Sequence, residues 1–372
     1  MLDLTINRDI ISLDSGIIPI QYLHSLATQG VIISDMPINK KQMQPASLDL
    51  RLGYKAYRVL ASFLPRPNFT IKERLQQFSL HEIDLTKGAV LETGGVYIVP
   101  LLEGLDLPLT ISASTNPKSS TGRLDVFTRV ICDGVNAFDR IPEGYSGPLF
   151  AEICPQTFPI TVRTGSSLCQ IRFRIGDPIV TDPDLQLLHA HETLVSGGIK
   201  ADICNGIALS VDLSQDLADL SGGLIGYRAK HNTPVIDIDK PGSCFVANYW
   251  EPIYADNAGS FVLDPDQFYI LASKEVVHIP PNYAAEMIPF NPLVGEFRVH
   301  YAGFMDPGFG HNTGARVVLE VRSHKVPFII EDSQIIGRLI YEKMSARPNI
   351  LYGKDLNSHY QTQGLKLSKH FI

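Results

Sequence analysis

Three short stretches carry the residues that could do chemistry. The first is Asn-Pro-Lys-Ser-Ser-Thr-Gly-Arg (116–123). Lys118 and Arg123 bring cations, Ser119 and Ser120 bring hydroxyls, and Gly122 leaves room for the backbone to approach a ligand. That mixture suits a phosphate chain, on whose oxygens charge-assisted donors converge. It is not a P-loop, because the order GxxxxGK[ST] is absent. Taken alone, the same composition is that of a solvated loop.

Two glutamates interrupt apolar runs: Glu152 in "GPLFAEIC" and Glu320 in "ARVVLEVR". Glu is depleted in strands. Inside an apolar strand its charged form is disfavoured, which lifts its pKa toward the range useful for proton transfer. Simple alternation would instead put each on a solvated face. For Glu320 that alternative has a candidate partner in Arg322, two residues on and on the same face. Glu152 has Phe150 and Cys154 as its same-face neighbours, which favours burial. The third stretch is Ala-Gly-Phe-Met-Asp-Pro-Gly-Phe (302–309), a turn with Asp306 at its centre. Asp-Pro-Gly is good turn chemistry by itself.

The elements that must hold these stretches read as β-strands. The chain has 372 residues, 44% apolar and 19% charged, enough for two domains with a core. Its 29 glycines and 25 prolines are dispersed, as in a protein of many short strands and turns. An internal repeat supports the division. "ASLDL" (46–50) recurs as "LSVDL" (209–213), and residues 88–117 parallel 259–292. Residues 147–162 parallel 315–330, with Glu and Pro seven apart in each. Period-2 alternation predicts an all-β fold with a few short helices, in two homologous domains. The first spans 1–175, a linker 176–205, the second 206–345, and a polar, mobile tail 346–372.

The five cysteines form no CxxC pair, and three lie in strand-like apolar runs, as reduced core thiols do. With no basic-then-apolar leader and no long apolar run, a cytoplasmic protein that does not engage a membrane is expected. A net charge of −7 argues against nucleic-acid binding but leaves room for a small anion held by local cations.

Together these pieces resemble the trimeric dUTPase and dCTP deaminase superfamily, and within it the dCTP deaminases. "QPASLDLRLG" (44–53) is similar to the family's N-terminal strand signature. "KSSTGR" resembles its triphosphate-binding motif, with Lys118 in the first basic position. "AGFMDPGF" resembles the hairpin that reads the pyrimidine, and "VVLE" (317–320) the strand ending in the catalytic Glu. "QIIGRLIYE" (334–342) is similar to the closing strand and "HYQTQGLKLSK" (359–369) to the tail that closes over the nucleotide.

The resemblance implies two tandem, distorted jelly-roll-like β domains that assemble as homo-oligomers. It implies hydrolytic deamination of dCTP to dUTP and ammonia, with dTTP or dUTP as inhibitors. Lys118, Ser119, Ser120 and Arg123 would hold the triphosphate. Ala302, Gly303 and Asp306 would face base and sugar, and Tyr360 and Gln363 would close from the tail. Glu320, with Glu152 in reserve, would shuttle the proton. Zinc deaminases use an H-x-E…P-C-x-x-C set that this sequence lacks, so no zinc is expected and Mg²⁺ would arrive with the triphosphate.

The repeats depart from the pattern in complementary ways. In the second, "NPLVGEFR" (291–298) replaces "NPKSSTGR" and loses the phosphate donors. In the first, the hairpin reads "NAFDRIPEGYSG" (136–147), with Pro142 at the place of the Asp. Either one composite site uses both halves, or first domains form sites with copies of themselves. A dUTPase, a bifunctional enzyme releasing dUMP, and a non-catalytic nucleotide binder remain as alternatives.

Overall fold

The structure is a computed structural model that describes residues 13–66, 68–214, 223–255, 259–289, 297–299, 303–311, 313–323, 325–353 and 364–372. Strands dominate, with short helices at Ile20–Thr28, Ile71–Phe78 and Asp182–His191, as the alternation predicts. Near the N-terminus, the helix Ile20–Thr28 buries Ile20, Leu23 and Leu26 on one face. Segment 176–205 is itself structured: it carries the helix Asp182–His191 and the strand Val195–Ser196, which pairs with Val276–Val277. Among the described residues no helix is long and apolar enough to cross a membrane.

Each half is built from two main sheets. In the first, strand Val96–Asp106 pairs with Ser146–Pro155, which pairs in turn with Val126–Cys132. A second sheet sets Ile111–Pro117 against Cys169–Ile175 and Arg140–Ile141. The second half repeats both arrangements. Phe268–Val277 pairs with Ala315–Ser323, and Tyr283–Pro289 lies between Ile335–Lys343 and Phe304–Met305.

The pairing register makes the repeat residue-specific. Glu152 lies opposite Ile98, and Glu320 opposite Ile270 in the matching strands. Ile141 lies opposite Ala113 as Met305 lies opposite Ala285, so the next residues, Pro142 and Asp306, occupy equivalent places.

The halves are fused by shared core and shared sheet. One hydrophobic cluster runs from Leu48, Leu105 and Phe173 of the first half into Trp250, Phe268, Ile270 and Val318 of the second. Each such side chain contributes about 1.5–3 kcal/mol on burial. Ile236–Asp237 adds in parallel to Ile160–Thr161, completing a three-stranded sheet across the boundary.

The end of the chain corrects the expectation of a mobile tail. Residues 364–372 are packed into the seam, where the Phe371 ring meets Phe158, Tyr249 and Trp250 at centroid distances of 5.3–6.3 Å. The backbone of Cys244 donates to His370 (3.0 Å) and accepts from Ile372 (2.9 Å).

Candidate active site at the seam between the halves

The phosphate-type stretch forms a single helical turn, Ser119–Gly122, between the strands Ile111–Pro117 and Val126–Cys132. Lys118 caps it and forms an ion pair with Asp49, from the "ASLDL" strand. Asp49 is buried, and desolvation lifts its pKa while Lys118 opposes the rise. Ser120 and Arg123 are buried as well.

Arg123 donates to the carbonyl of Lys366 (2.9 Å), and Ser368 Oγ donates to the carbonyl of Ser120 (2.8 Å). The end of the chain therefore straps the phosphate-type turn. Lys369, beside Ser368, has its pKa pulled down by burial and by the charge of Lys118.

The hairpin of the second half comes to this same turn. A Cβ added to Gly303 would lie 3.8 Å from Ser119 Oγ. The turn's glycines have packing reasons too. Gly310 has φ +69° and a Cβ there would fall 2.2 Å from the carbonyl oxygen of Val277, so no other residue fits.

Arg172, on Cys169–Ile175 of the first half, holds the hairpin from behind. Its guanidinium donates to the carbonyl of Met305 (3.3 Å) and to Asp306 Oδ1 (3.4 Å), and its other arm meets Glu342 (2.9 Å). Phe304 lies against it, 4.0 Å from ring centroid to guanidinium carbon. Burial raises Asp306 to about 6, with Arg172 opposing and Asp49 adding to the rise.

Glu320 completes the constellation. Its carboxyl is buried, and among the described residues Oε2 has no hydrogen-bond partner. Burial pushes its pKa well above the usual carboxylate range; the Arg123 guanidinium opposes this and Asp125 adds to it. Arg322 is not its partner, contrary to the same-face reading of the sequence. Arg322 reaches instead across the seam to Asp125.

Glu152, the equivalent residue, is engaged differently. Its Oε1 accepts from Arg129 at 2.6 Å, and Arg129 lies against the rings of Phe138 (3.4 Å) and Phe127 (4.3 Å). Arg129 is its cross-strand neighbour.

The structure thus brings Lys118, Ser119, Ser120, Arg123, Gly303, Asp306 and Glu320 to one seam within a single chain, and leaves Glu152 in an ion pair of its own. Ala302, Tyr360 and Gln363 lie outside the described residues. Sequence reasoning missed Arg172 and Asp125; Lys366 and Ser368 fall within the closing-tail stretch 359–369, though it gave them no contacts. The signal for Arg172 was a charge inside "QIRFRIG", indistinguishable there from strand alternation.

Comparison with known proteins matches this geometry. A crystal structure of 2'-deoxycytidine 5'-triphosphate deaminase from Agrobacterium tumefaciens aligns with a TM-score of 0.85 and 55% identity, over 90% of this chain and 99% of that one. A protein named "dCTP deaminase, dUMP-forming" from Methanosphaera stadtmanae is 28% identical over 150 residues, 39% of this chain and 72% of the relative. One of the same name from Streptomyces avermitilis is 31% identical over 118 residues, 30% of this chain and 59% of the relative. The family models for the 2'-deoxycytidine 5'-triphosphate deaminase N-terminal and C-terminal domains match residues 14–177 and 181–371. With both domains present in order and the whole seam between them, the chain belongs to the dCTP deaminase family.

Proposed function

We propose that the chain hydrolyses dCTP to dUTP and ammonia at one composite site per chain, with Glu320 as the proton shuttle. Water adds to C4 of the cytosine while the Glu320 carboxylate takes its proton and delivers it to N3. The tetrahedral adduct then expels the 4-amino group as ammonia, after a second proton passes from the new hydroxyl through the same carboxyl. A group that both accepts and donates needs a pKa near the working pH. The observation that carries the reading is the Glu320 carboxyl itself: buried, raised, and with Oε2 unpartnered among the described residues.

Lys118, Ser119, Ser120 and Arg123 bind the triphosphate in this reading, and Mg²⁺ enters as part of the substrate. The hairpin around Gly303 presents backbone groups to the base, held in place by Arg172. The proposed base chemistry uses the Glu320 carboxyl and requires no zinc.

A second reading extends the first. The curated relatives from M. stadtmanae and S. avermitilis are named dUMP-forming, and Asp306 stands in the hairpin with its pKa raised to about 6. A continuation from dUTP to dUMP and pyrophosphate would use that carboxylate on an attacking water. The test for both is incubation with dCTP and Mg²⁺, with a zinc-selective chelator present, followed by product identification. Ammonia with dUTP supports the first reading, ammonia with dUMP the second, and binding without ammonia sinks both. Activity recovered only on adding Zn²⁺ removes the metal-free step.

A further inference from the structure

Behind the strap on the phosphate-type turn lies a short hydrogen-bond chain. The backbone N–H of Phe371 donates to the carbonyl of Ser368 (3.1 Å), and within this turn the side chains of Ser368 and His370 meet, both of them buried. Ser368 Oγ lies 2.8 Å from the carbonyl oxygen of Ser120 and 2.9 Å from His370 Nδ1. His370 Nε2 lies 2.9 Å from the carbonyl oxygen of Ile238.

The hydrogens of this chain can be assigned by elimination, because a carbonyl oxygen only accepts. Nε2 must carry a hydrogen for Ile238, and the Ser368 hydroxyl must direct its one hydrogen at Ser120. The remaining contact, between Ser368 Oγ and Nδ1, is then complete only if Nδ1 carries a hydrogen too. That makes His370 an imidazolium. In a neutral ring Nδ1 is an acceptor, and Nδ1 and the Ser120 carbonyl compete for one hydroxyl hydrogen.

We propose that His370 is a positioning residue: its ring proton aims the Ser368 hydroxyl at Ser120 and so fixes the Ser119–Gly122 turn for a triphosphate. The inference rests on the reading of that turn as the phosphate site. Neutral His370 draws the hydroxyl hydrogen to itself, and the Ser120 carbonyl is released from the strap.

The charges around the ring suit a group that gains its proton with the ligand. Burial holds its pKa below the ordinary histidine value, the Ile238 carbonyl, Asp239 and Asp237 pull upward, and Lys369 pushes down. Asp237 and Asp239 are tied to Arg163, and Asp237 also to Lys240. Lys369 in turn feels Lys118 and Asp49. Cys244, on the other side, meets His370 through the backbone. A polyanion arriving at the Ser119–Gly122 turn favours a cation nearby. By linkage, whatever factor protonation adds to affinity, the ligand must add to protonation.

The experiment titrates full-length parent, His370→Leu, Ser368→Ala and Arg123→Ala with inorganic tripolyphosphate, which has no base to deaminate. Affinities are compared at about pH 5 and about pH 8, either side of the ordinary histidine range. Ratios between proteins at one pH cancel the ionisation of the ligand. Ser368→Ala should bind about two- to tenfold more weakly than the parent at the lower pH, the scale of one hydrogen bond, and nearly equally at the higher. His370→Leu leaves the hydroxyl to Ser120 at every pH, so it should match the parent at the lower pH and bind more tightly at the higher. Imidazole NMR of the parent should show the His370 pKa rising by about 0.3–1 unit with tripolyphosphate, the same factor seen from the other side. Ser368→Ala should remove most of that rise.

Ratios that stay constant across pH mark an ordinary structural tie and overturn the proposal. If His370→Leu does not fold, a His370 pKa that the ligand leaves unmoved in the parent overturns it alone. Unchanged affinity in Arg123→Ala removes the phosphate reading itself, and the proposal falls with it.

Discussion

The guanidinium of Arg172, on a strand of the first half, donates to the carbonyl of Met305 in the hairpin of the second half at 3.3 Å. A base-reading hairpin must keep its backbone in place while the nucleotide comes and goes, and here the hold comes from the other domain. The same guanidinium neutralises Glu342 and contacts Asp306. Arg172→Met should therefore lower the stability of the whole chain by about 3–5 kcal/mol, because buried Asp306 loses its cation and Glu342 is left with Arg174 alone. Urea unfolding measures it. A change under 1 kcal/mol, on the order of a surface pair, would mean that the hairpin is held by other contacts.

The equivalence of Glu152 and Glu320 in register, set against their difference in partners, leads to the next outcome. Glu320→Gln keeps the shape but cannot take a proton from water, so turnover should fall by at least about a hundredfold with dCTP binding nearly intact. Glu152→Gln should leave kcat near normal and instead destabilise the fold, since Arg129 loses its carboxylate inside a partly buried site. Steady-state ammonia release and nucleotide titration of both variants decide between them. A dead Glu152→Gln beside an active Glu320→Gln would assign the chemistry to first domains acting on one another.

Much of this was visible in the residues, and the boundary is instructive. The strands follow from period-2 alternation, and the repeat followed from residues such as Glu152 and Glu320 standing seven before a proline. Glu320 stood out through the likeness of "VVLE" to the family's Glu strand, since local sequence offered it Arg322 as a partner. Its partners did not, because they come from the other half: sequence proximity suggested Arg322, whereas folding turned Arg322 to Asp125. Arg172 was hidden for a related reason. Gln170, Arg172 and Arg174 alternate as a solvated strand face would, and the contacts that bury Arg172 come from the second half. The end of the chain read as mobile from its polar average and as a closing tail from the resemblance, and Leu365, Leu367 and Phe371 carried the apolar signal that the seam uses.

That docked end has its own consequence. Phe371 packs among Phe158, Tyr249 and Trp250, and four and five residues earlier Leu367 and Lys366 lie against the core and Arg123. Phe371→Ala should loosen the strap before it unfolds the chain, raising KM for dCTP several-fold while stability falls by about 3 kcal/mol, the low end for Phe→Ala because the ring is only partly buried. The pairing of the two effects is the test: calorimetry and steady-state kinetics are run on the same preparation. Lost stability with unchanged KM would make the strap a seam filler with no part in holding nucleotide.

The raised pKa of Glu320 also reaches stability, and its sign can be worked out. A carboxyl whose folded pKa lies above its unfolded value binds more protons folded than unfolded between those two values. Folding then weakens as pH rises from the ordinary glutamate range through the folded pKa, by about 1.4 kcal/mol for each unit of displacement. Below the ordinary range both states are protonated and nothing is lost. Glu320→Gln has no such proton to release. The variant should therefore melt at a higher temperature than the parent near pH 8, and the gap should close as pH falls toward 4.5. Paired melting curves across that range, at constant ionic strength, show it directly. An amide that destabilises the protein equally at both ends would mean the Glu320 carboxylate is already compensated when charged. The reaction would then have to find its raised proton acceptor elsewhere, with Asp306, also buried and lifted to about 6, the first residue to examine.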